Sequence, residues 1–376
     1  MKFVVSSSDL LSHLQAISRV MSTKNTLPIL DNFLFQLNGS DLKITASDLE
    51  TTLTTEMQLE NASNDGSVAV PARILVETLK EFPEQPLTFD INEETLAIVI
   101  SSGNGQFTVV GQNGSEFPQV PQIKEDKKIN LQISAELLDN GISKTLFASA
   151  DDELRPVMNG IFVELSTDDL TFVASDSHKL VRYRRKDAKA DVSESFILPK
   201  KPASVLRNIL PKIQGDISIE FDDKNVSFSL PNYSMVCRLV EGNYPSYNSV
   251  IPQENPNKLT IDRIELLNTL KRVSVFSNQA SNLIKLEIKG NQLTVSAQDL
   301  DFSISAYERL NCQYDGENME IGFKSTFMIE ILSSISSPDV ILELSDPSRA
   351  GLLIPAEKEI DDEDVLMLLM PMMINA

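Results

Sequence analysis

The sequence predicts an α+β chain of three similar domains, each with two helices packed on β-sheets. Three observations predict it. A Leu-Leu pair opens a helical pattern at Leu10, Leu137 and Leu266, spaced 127 and 129 residues apart. A strand running into an aspartate turn reaches Asp48, Asp176 and Asp299, spaced 128 and 123 apart. An apolar residue shortly before a basic one that leads into a helix recurs as Val70 with Arg73, Leu198 with Lys200 and Ile321 with Lys324. The markers keep the same order, and their period is close to a third of the 376 residues. That is the size of a domain, far longer than a solenoid repeat. The domains predicted are 1–125, 126–254 and 255–376, with polar linkers at 122–128 and 253–258.

Within each copy the elements follow in order. The first helix carries apolar residues at helical spacing: Leu10, Leu11, Leu14 and Ile17; Leu137, Leu138, Ile142 and Leu146; Leu266, Leu267, Leu270 and Val273. The second does so with Ile74, Leu75 and Leu79; Val205, Leu206, Ile209 and Ile213; Met328, Leu332 and Ile335. These patterns predict helices at 8–21, 71–81, 135–146, 200–213, 262–273 and 324–335. Alternating runs such as Leu42-Lys43-Ile44-Thr45 and Val226-Ser227-Phe228-Ser229-Leu230, bounded by Gly, Asn and Asp, predict about eight strands per copy. Gly103-Asn104-Gly105 lies between two such runs with no helix after it, so it reads as a hairpin turn rather than a phosphate loop.

Composition narrows the class. Hydrophobic residues at 41% and charged residues at 23% suit a globular protein, and no apolar run approaches the ~20 residues that span a bilayer. Two cysteines, Cys237 and Cys312, form neither a disulfide framework nor a zinc site by themselves, which predicts buried thiols in a reducing cytoplasm. Lys plus Arg number 33 against 54 Asp plus Glu, a net charge of −21 that at first argues against nucleic acid. Its distribution reverses the argument. The six predicted helices hold 12 basic and 8 acidic residues, net +4, and the remainder holds −25. Lys200, Lys201, Arg207 and Lys212 form the densest basic segment, with no acid among them. Sparse cations on helices suit phosphate contacts without base readout. Trp is absent and aromatics are 6%, so there is no stacking platform.

Several segments then resemble the bacterial replicative sliding clamps, the beta subunits of DNA polymerase III. They are Met1-Lys2-Phe3, 25–30 (Asn-Thr-Leu-Pro-Ile-Leu), Ser47-Asp48-Leu49-Glu50, Val70-Pro71-Ala72-Arg73, Arg155 with Asn159-Gly160, 174–180 (Ala-Ser-Asp-Ser-His-Lys-Leu), Glu241-Gly242-Asn243-Tyr244-Pro245, Ile321-Gly322-Phe323 and Met370-Pro371-Met372. The resemblance covers the whole chain. It implies a head-to-tail homodimer, a six-domain ring around double-stranded DNA with helices lining the channel. Such a ring tethers the replicative DNA polymerase by topology, is opened by an ATP-dependent clamp loader, and docks other clamp-binding-motif proteins. It implies no catalysis, no cofactor and no membrane partner. The chain carries no Gly-x-x-x-x-Gly-Lys-Ser/Thr loop of its own. The alternative reading is an oligomeric docking scaffold that does not enclose DNA.

By the same resemblance, a partner-peptide pocket between the second and third domains comprises Met158, Ser175, Ser177, His178, Lys179, Leu180, Pro245, Val250, Phe327, Ser348, Ala350, Leu368, Met370, Pro371 and Met372. Met, Leu, Val and Pro would supply an adaptable apolar groove. Ser249 and Met373 stand where the family often has basic residues. The ring interface would pair Phe107 and Val109 with Val275 and Phe276, supplemented by Arg272. Lys24 and Arg73 match DNA-facing positions, and the charge count adds Lys200, Lys201, Arg207 and Lys212; Asp152 is an unwelcoming acid at a further such position. Without the resemblance, His178 reads as a turn histidine, the methionines near the end as core, and the run at 361–364 as a solvated loop.

Overall fold

A computed structural model describes residues 1–374; the last two residues of the third predicted domain lie outside the described residues. Eight main strands recur in each third. The first holds β1 (Lys2–Ser6), β2 (Asn32–Asn38), β3 (Asp41–Ser47), β4 (Thr51–Gln58), β5 (Gly66–Pro71), β6 (Pro86–Asn92), β7 (Ala97–Ser101) and β8 (Gln106–Val110). The second holds β9 (Ile129–Ser134), β10 (Gly160–Leu165), β11 (Leu170–Ser175), β12 (Lys179–Arg185), β13 (Glu194–Pro199), β14 (Asp216–Phe221), β15 (Asn225–Leu230) and β16 (Tyr233–Arg238). The third holds β17 (Asn257–Asp262), β18 (Leu283–Lys289), β19 (Gln292–Asp299), β20 (Ile304–Asn311), β21 (Met319–Lys324), β22 (Asp339–Leu344), β23 (Gly351–Pro355) and β24 (Glu363–Leu369).

The helices are α1 (Ser7–Ile17), α2 (Ala72–Lys80), α3 (Ala135–Thr145), α4 (Lys200–Ile209), α5 (Arg263–Val273) and α6 (Ser325–Ser334). Caps set where they start. The Asp262 carboxylate accepts from Glu265 N at 2.7 Å, and the Ser134 hydroxyl accepts from Leu137 N at 3.1 Å. Several ends tighten into 3₁₀ turns, at Ser18–Val20, Leu146–Ala148, Leu210–Lys212 and Ser274–Phe276. Pro211 explains the third, since it has no N–H to continue α4. Most of the predicted apolar stripes face inward: Leu10, Leu14 and Ile17 of α1, and Leu266, Leu270 and Val273 of α5, are buried, whereas Ile74 of α2 is 53% exposed.

The chain packs as two units, Met1–Asp139 with Ser204–Leu239, and Asn140–Ala203 with the chain from Val240 onward. The middle third thus contributes four strands to each unit. In the first unit one sheet runs Asn61–Ser63, β1, β6, β7, β8, and a nine-stranded sheet runs Gln112–Asn113, β5, β2, β3, β4, β16, β15, β14, β9. In the second unit one sheet runs β20, β19, β18, β21, and a nine-stranded sheet runs β13, β10, β11, β12, β24, β23, β22, β17, Gln313–Asp315. Each nine-stranded sheet is therefore two repeats joined at an antiparallel seam. Leu53 faces Met235 across β4 and β16, and Val181 faces Met367 across β12 and β24. The strands equivalent to these seam partners, β8 and β20, end their sheets with one edge open.

The acidic run is a correction to the sequence reading. Asp361 and Asp362 are exposed, but Glu363 is 3% exposed and begins β24. Its carboxylate receives Lys144 Nζ at 3.0 Å, and Asp364 receives Arg182 at 3.0 Å. Cations 219 and 182 residues away in sequence make burial tolerable, and local charge patterning cannot reveal them. The hairpin at 103–105 is as expected, closed by Ser102 N donating to Gly105 O at 2.9 Å. Cys237 and Cys312 are both buried free thiols.

Candidate functional sites

The turn between β11 and β12 organises the predicted groove. Asp176 Oδ1 accepts from both His178 N and Lys179 N at 2.9 Å, while Ser175 Oγ donates to Lys179 O at 2.9 Å. These bonds hold Ser177 at a φ of +77°, a left-handed conformation that costs a non-glycine residue energy and is retained only where its surroundings fix it. Arg155 donates to the Ser177 hydroxyl, which lies 3.7 Å from Met158 Sδ. The Lys179 ammonium, nearly buried, is held by Glu330 at 2.8 Å and Asp176 at 3.1 Å. It also sits 4.2 Å from the centre of the Phe327 ring, and Lys324 lies 4.6 Å from that centre.

The floor comes from the seam. Leu180 faces Leu368, which in turn faces Leu352, and these pack with Val173, Tyr247, Ile251, Ala350 and Leu366 in one buried cluster. Phe162 stacks on Tyr244 at 4.9 Å beside it. The Tyr247 hydroxyl donates to Glu164 at 2.6 Å; burial, reinforced by this bond, pushes its phenol up to about 12. The end of the described chain crosses the turn: Met370 N donates to His178 O and Met372 N to Gly322 O, both at 2.8 Å. Gly322 is needed here, because a Cβ at that position would lie 2.7 Å from Met372 O.

The structure thus joins Met158, Ser175, Ser177, His178, Lys179, Phe327, Met370 and Met372 through direct contacts, and Leu180, Ala350 and Leu368 through the cluster. Pro245 and Val250 are exposed residues flanking Tyr244 and Tyr247, and Pro371 is half-buried between Met370 and Met372. Ser348 is exposed and turned back onto Asp346, to which its hydroxyl donates. Ser249 Oγ donates to Ser246 O, and Met373 is 85% exposed. Sequence reasoning missed Tyr247, Val173, Leu352 and Leu366, whose alternation is that of any core strand. It also missed Phe162, Tyr244 and Arg155 as members of the site.

At the open edges, Phe107 is 40% exposed and rests edge-on against Phe82, while Val109 is half-buried. Val275 and Phe276 are exposed in the 3₁₀ turn after α5. Leu300, Phe302, Ile304 and Tyr307 extend this exposed apolar surface along β20 and the turn before it. Sequence reasoning did not assign them; the signal was a turn two residues longer than at Asp48 and Asp176, filled with Leu-Asp-Phe. Arg272 is engaged within its own chain, gripping Glu308 at 2.7 and 2.8 Å.

The helix cations divide. Arg73 pairs with Glu77 at 3.0 Å, Lys200 with Asp151 at 3.1 Å, and Lys144 with Glu359 and Glu363. Arg263 donates to Ser337 O and Leu332 O near the end of α6. Asp152 is bound by Arg155 at 2.8 Å, which holds its carboxyl below the usual range and offsets its charge. Lys24 and Lys201 are exposed. Arg19, Arg207 and Lys212 are exposed and have no carboxylate partner among the described residues. No helix among these residues is long and apolar enough to cross a membrane.

Comparison with known proteins agrees along the whole length. Family models described as the DNA polymerase III beta subunit match in order: the N-terminal domain at 1–121, the central domain at 132–246 and the C-terminal domain at 248–373. The chain is 29% identical to a beta sliding clamp of Pseudomonas aeruginosa, covering 99% of this chain and 100% of that one. It is 28% identical to a beta sliding clamp of Staphylococcus aureus, covering 99% of each. A crystal structure of a sliding clamp from Bartonella birtlesii superposes over the full length of both chains with a TM-score of 0.93 at 29% identity.

Proposed function

Because this chain belongs to the DNA polymerase III beta-subunit family, we propose that it works as a DNA sliding clamp, a homodimeric ring that encircles duplex DNA and tethers the replicative polymerase. The clamp domains are 1–125, 126–254 and 255–376. The ring carries no chemistry of its own; an ATP-dependent loader opens it, and proteins with clamp-binding motifs dock in the Met158–Leu180–Leu368 groove.

One observation carries this reading. Two of the three repeat junctions are closed inside the chain by equivalent seams, and the third has both halves present and unjoined. The two closed seams share one register. Thr51 and Lys179 occupy equivalent positions and face Cys237 and Leu369; Leu53 and Val181 face Met235 and Met367. Carried to the third junction, this register sets Val109 opposite Ile304 and Phe107 opposite Ala306 of a second chain. A head-to-tail pair uses both open edges and leaves neither as an aggregation hazard. Val275, Phe276 and Phe302 would then be covered.

The charge pattern supports the duplex as what is enclosed. Lys24, Arg73, Lys200, Lys201, Arg207 and Lys212 give weak, sequence-independent contacts, and the acidic remainder repels DNA from the outside. Retention on DNA tests the proposal. A loaded dimer should stay on closed circles and run off linearised molecules; equal loss from both would favour a scaffold that does not enclose DNA.

A further inference from the structure

Equivalent junctions should be equally well filled, and the two inside this chain are not. In the second unit, the corner where α3 and the end of α6 meet the β12–β24 seam is sealed. Lys144 Nζ reaches Glu359 at 2.7 Å and Glu363 at 3.0 Å, and the cavity left is about 10 Å³, water-sized. In the first unit, the matching corner of α1, the end of α4 and the β4–β16 seam holds an open cleft of about 300 Å³. By seam register, Pro231 and Asn232 stand where Glu363 and Asp364 stand in the second junction. Lys212 replaces Ser336 by its place after α4. The acids that seal one corner are absent from the other, where Pro231 and Asn232 stand at their places and Arg19 and Lys212 line the cleft.

The cleft's polar groups are arranged for an anion. Arg19 and Lys212 line it, both exposed and without carboxylate partners among the described residues. His13, Asn208, Asn232 and Tyr233 line it, and no lining residue is acidic. Asp9 is the nearest acid to the ring, 3.8 Å from His13 Nε2 and largely exposed. The Thr55 hydroxyl donates to Asn232 O at 3.0 Å, so it accepts from His13 Nδ1–H and fixes the ring against Tyr233, 5.8 Å between centres. The His13 ring is thus held in place, and Arg19 and Lys212 line the same ligand-sized space.

We propose that this cleft is a phosphate-binding site that grips a backbone phosphate of the enclosed duplex, one fixed contact among otherwise diffuse ones. The inference rests on the clamp reading. Arg19 and Lys212 clamp the non-bridging oxygens, and the site reads no base, so it acts alike on every sequence.

The test measures short-duplex binding by the full-length protein across a salt series, for wild type and the Arg19→Gln/Lys212→Gln double variant. The expected result is a log–log salt slope shallower by about 1 in the variant, with affinity weakened uniformly across sequences. Arg19→Lys/Lys212→Arg should restore the slope. Inorganic phosphate should shift the His13 ring resonance of wild type, and duplex should compete for that shift. An unchanged slope overturns the proposal. A phosphate-induced shift with which duplex does not compete overturns the duplex assignment in favour of a free anion. Wild-type retention on closed circles, run alongside, separates the two readings. Retention with an unchanged slope sinks the cleft alone, and its loss sinks the clamp.

Discussion

Replacing Phe107 by alanine should weaken the dimer by an amount that also counts its junctions. In the single chain Phe107 remains 40% exposed. A fully covered phenylalanine removes roughly 200 Å² from water, so covering the remainder removes about 80 Å². At ~25 cal/mol per Å² this contributes ~2 kcal/mol per junction. A closed two-chain ring has two junctions, so Phe107→Ala should cost ~4 kcal/mol and raise the dimer Kd about 1000-fold. An open pair joined once would lose only ~2 kcal/mol, about 30-fold. Sedimentation equilibrium over a dilution series reads the Kd directly, with near-wild-type circular dichroism showing that the chain is folded. A shift under threefold would refute the assignment of β8 to the interface. A shift near 30-fold would refute closure while keeping the contact.

Gly322→Val should displace the strand at Met372, because its Cβ would lie 2.7 Å from Met372 O; titration calorimetry with a clamp-binding peptide should show at least tenfold weaker binding and a modestly lower melting temperature. Lys179→Ala removes the cation shared by Glu330, Asp176 and the Phe327 ring. With Glu330 half-exposed the cost should be about 1–2 kcal/mol in denaturant unfolding, with peptide affinity falling in parallel. Leu10→Ala, at a fully buried position of α1, should destabilise the first unit by about 2–5 kcal/mol in the same assay. Tyr247 is held protonated up to about 12 by burial and its bond to Glu164, against an ordinary phenol near 10. Its contribution to stability is therefore complete below pH 10 and lost as pH rises from 10 to about 12. The part of the phenolate absorbance that Tyr247→Phe removes should appear together with loss of tertiary signal in that window, and its earlier appearance in the folded protein would contradict the assignment.

The helices and their buried faces were legible because a 3.6-residue period is a local signal, repeated three times. The seams were not. Thr52, Thr54 and Thr55 are polar, yet all are buried where β4 meets β16. Nothing near them in sequence names a partner about 180 residues away. The groove was reached through resemblance, and its mechanics stayed hidden: Lys179 looks like any turn lysine until Glu330 and Phe327 are placed beside it. Charge along the helices does not distinguish cations that are paired from cations that are not. Arg263 serves backbone carbonyls, Lys144 seals a buried corner and Arg272 is tied to Glu308, so fewer are free for phosphate than net charge suggested.

The seams also set a timetable for biosynthesis. β4 is complete by residue 58, but its edge partner β16 begins at Tyr233; β12 ends at Arg185 and waits for β24, which begins at Glu363. At roughly 5–20 residues per second, each edge spends about 10–35 s uncovered on the ribosome. The second edge closes only once β24 has been made, and β24 begins 178 residues after β12 is complete. A ribosome stalled late in this message would therefore release a chain with a bare β12 edge, and such fragments should engage chaperones or co-aggregate more readily than those truncated just after β16.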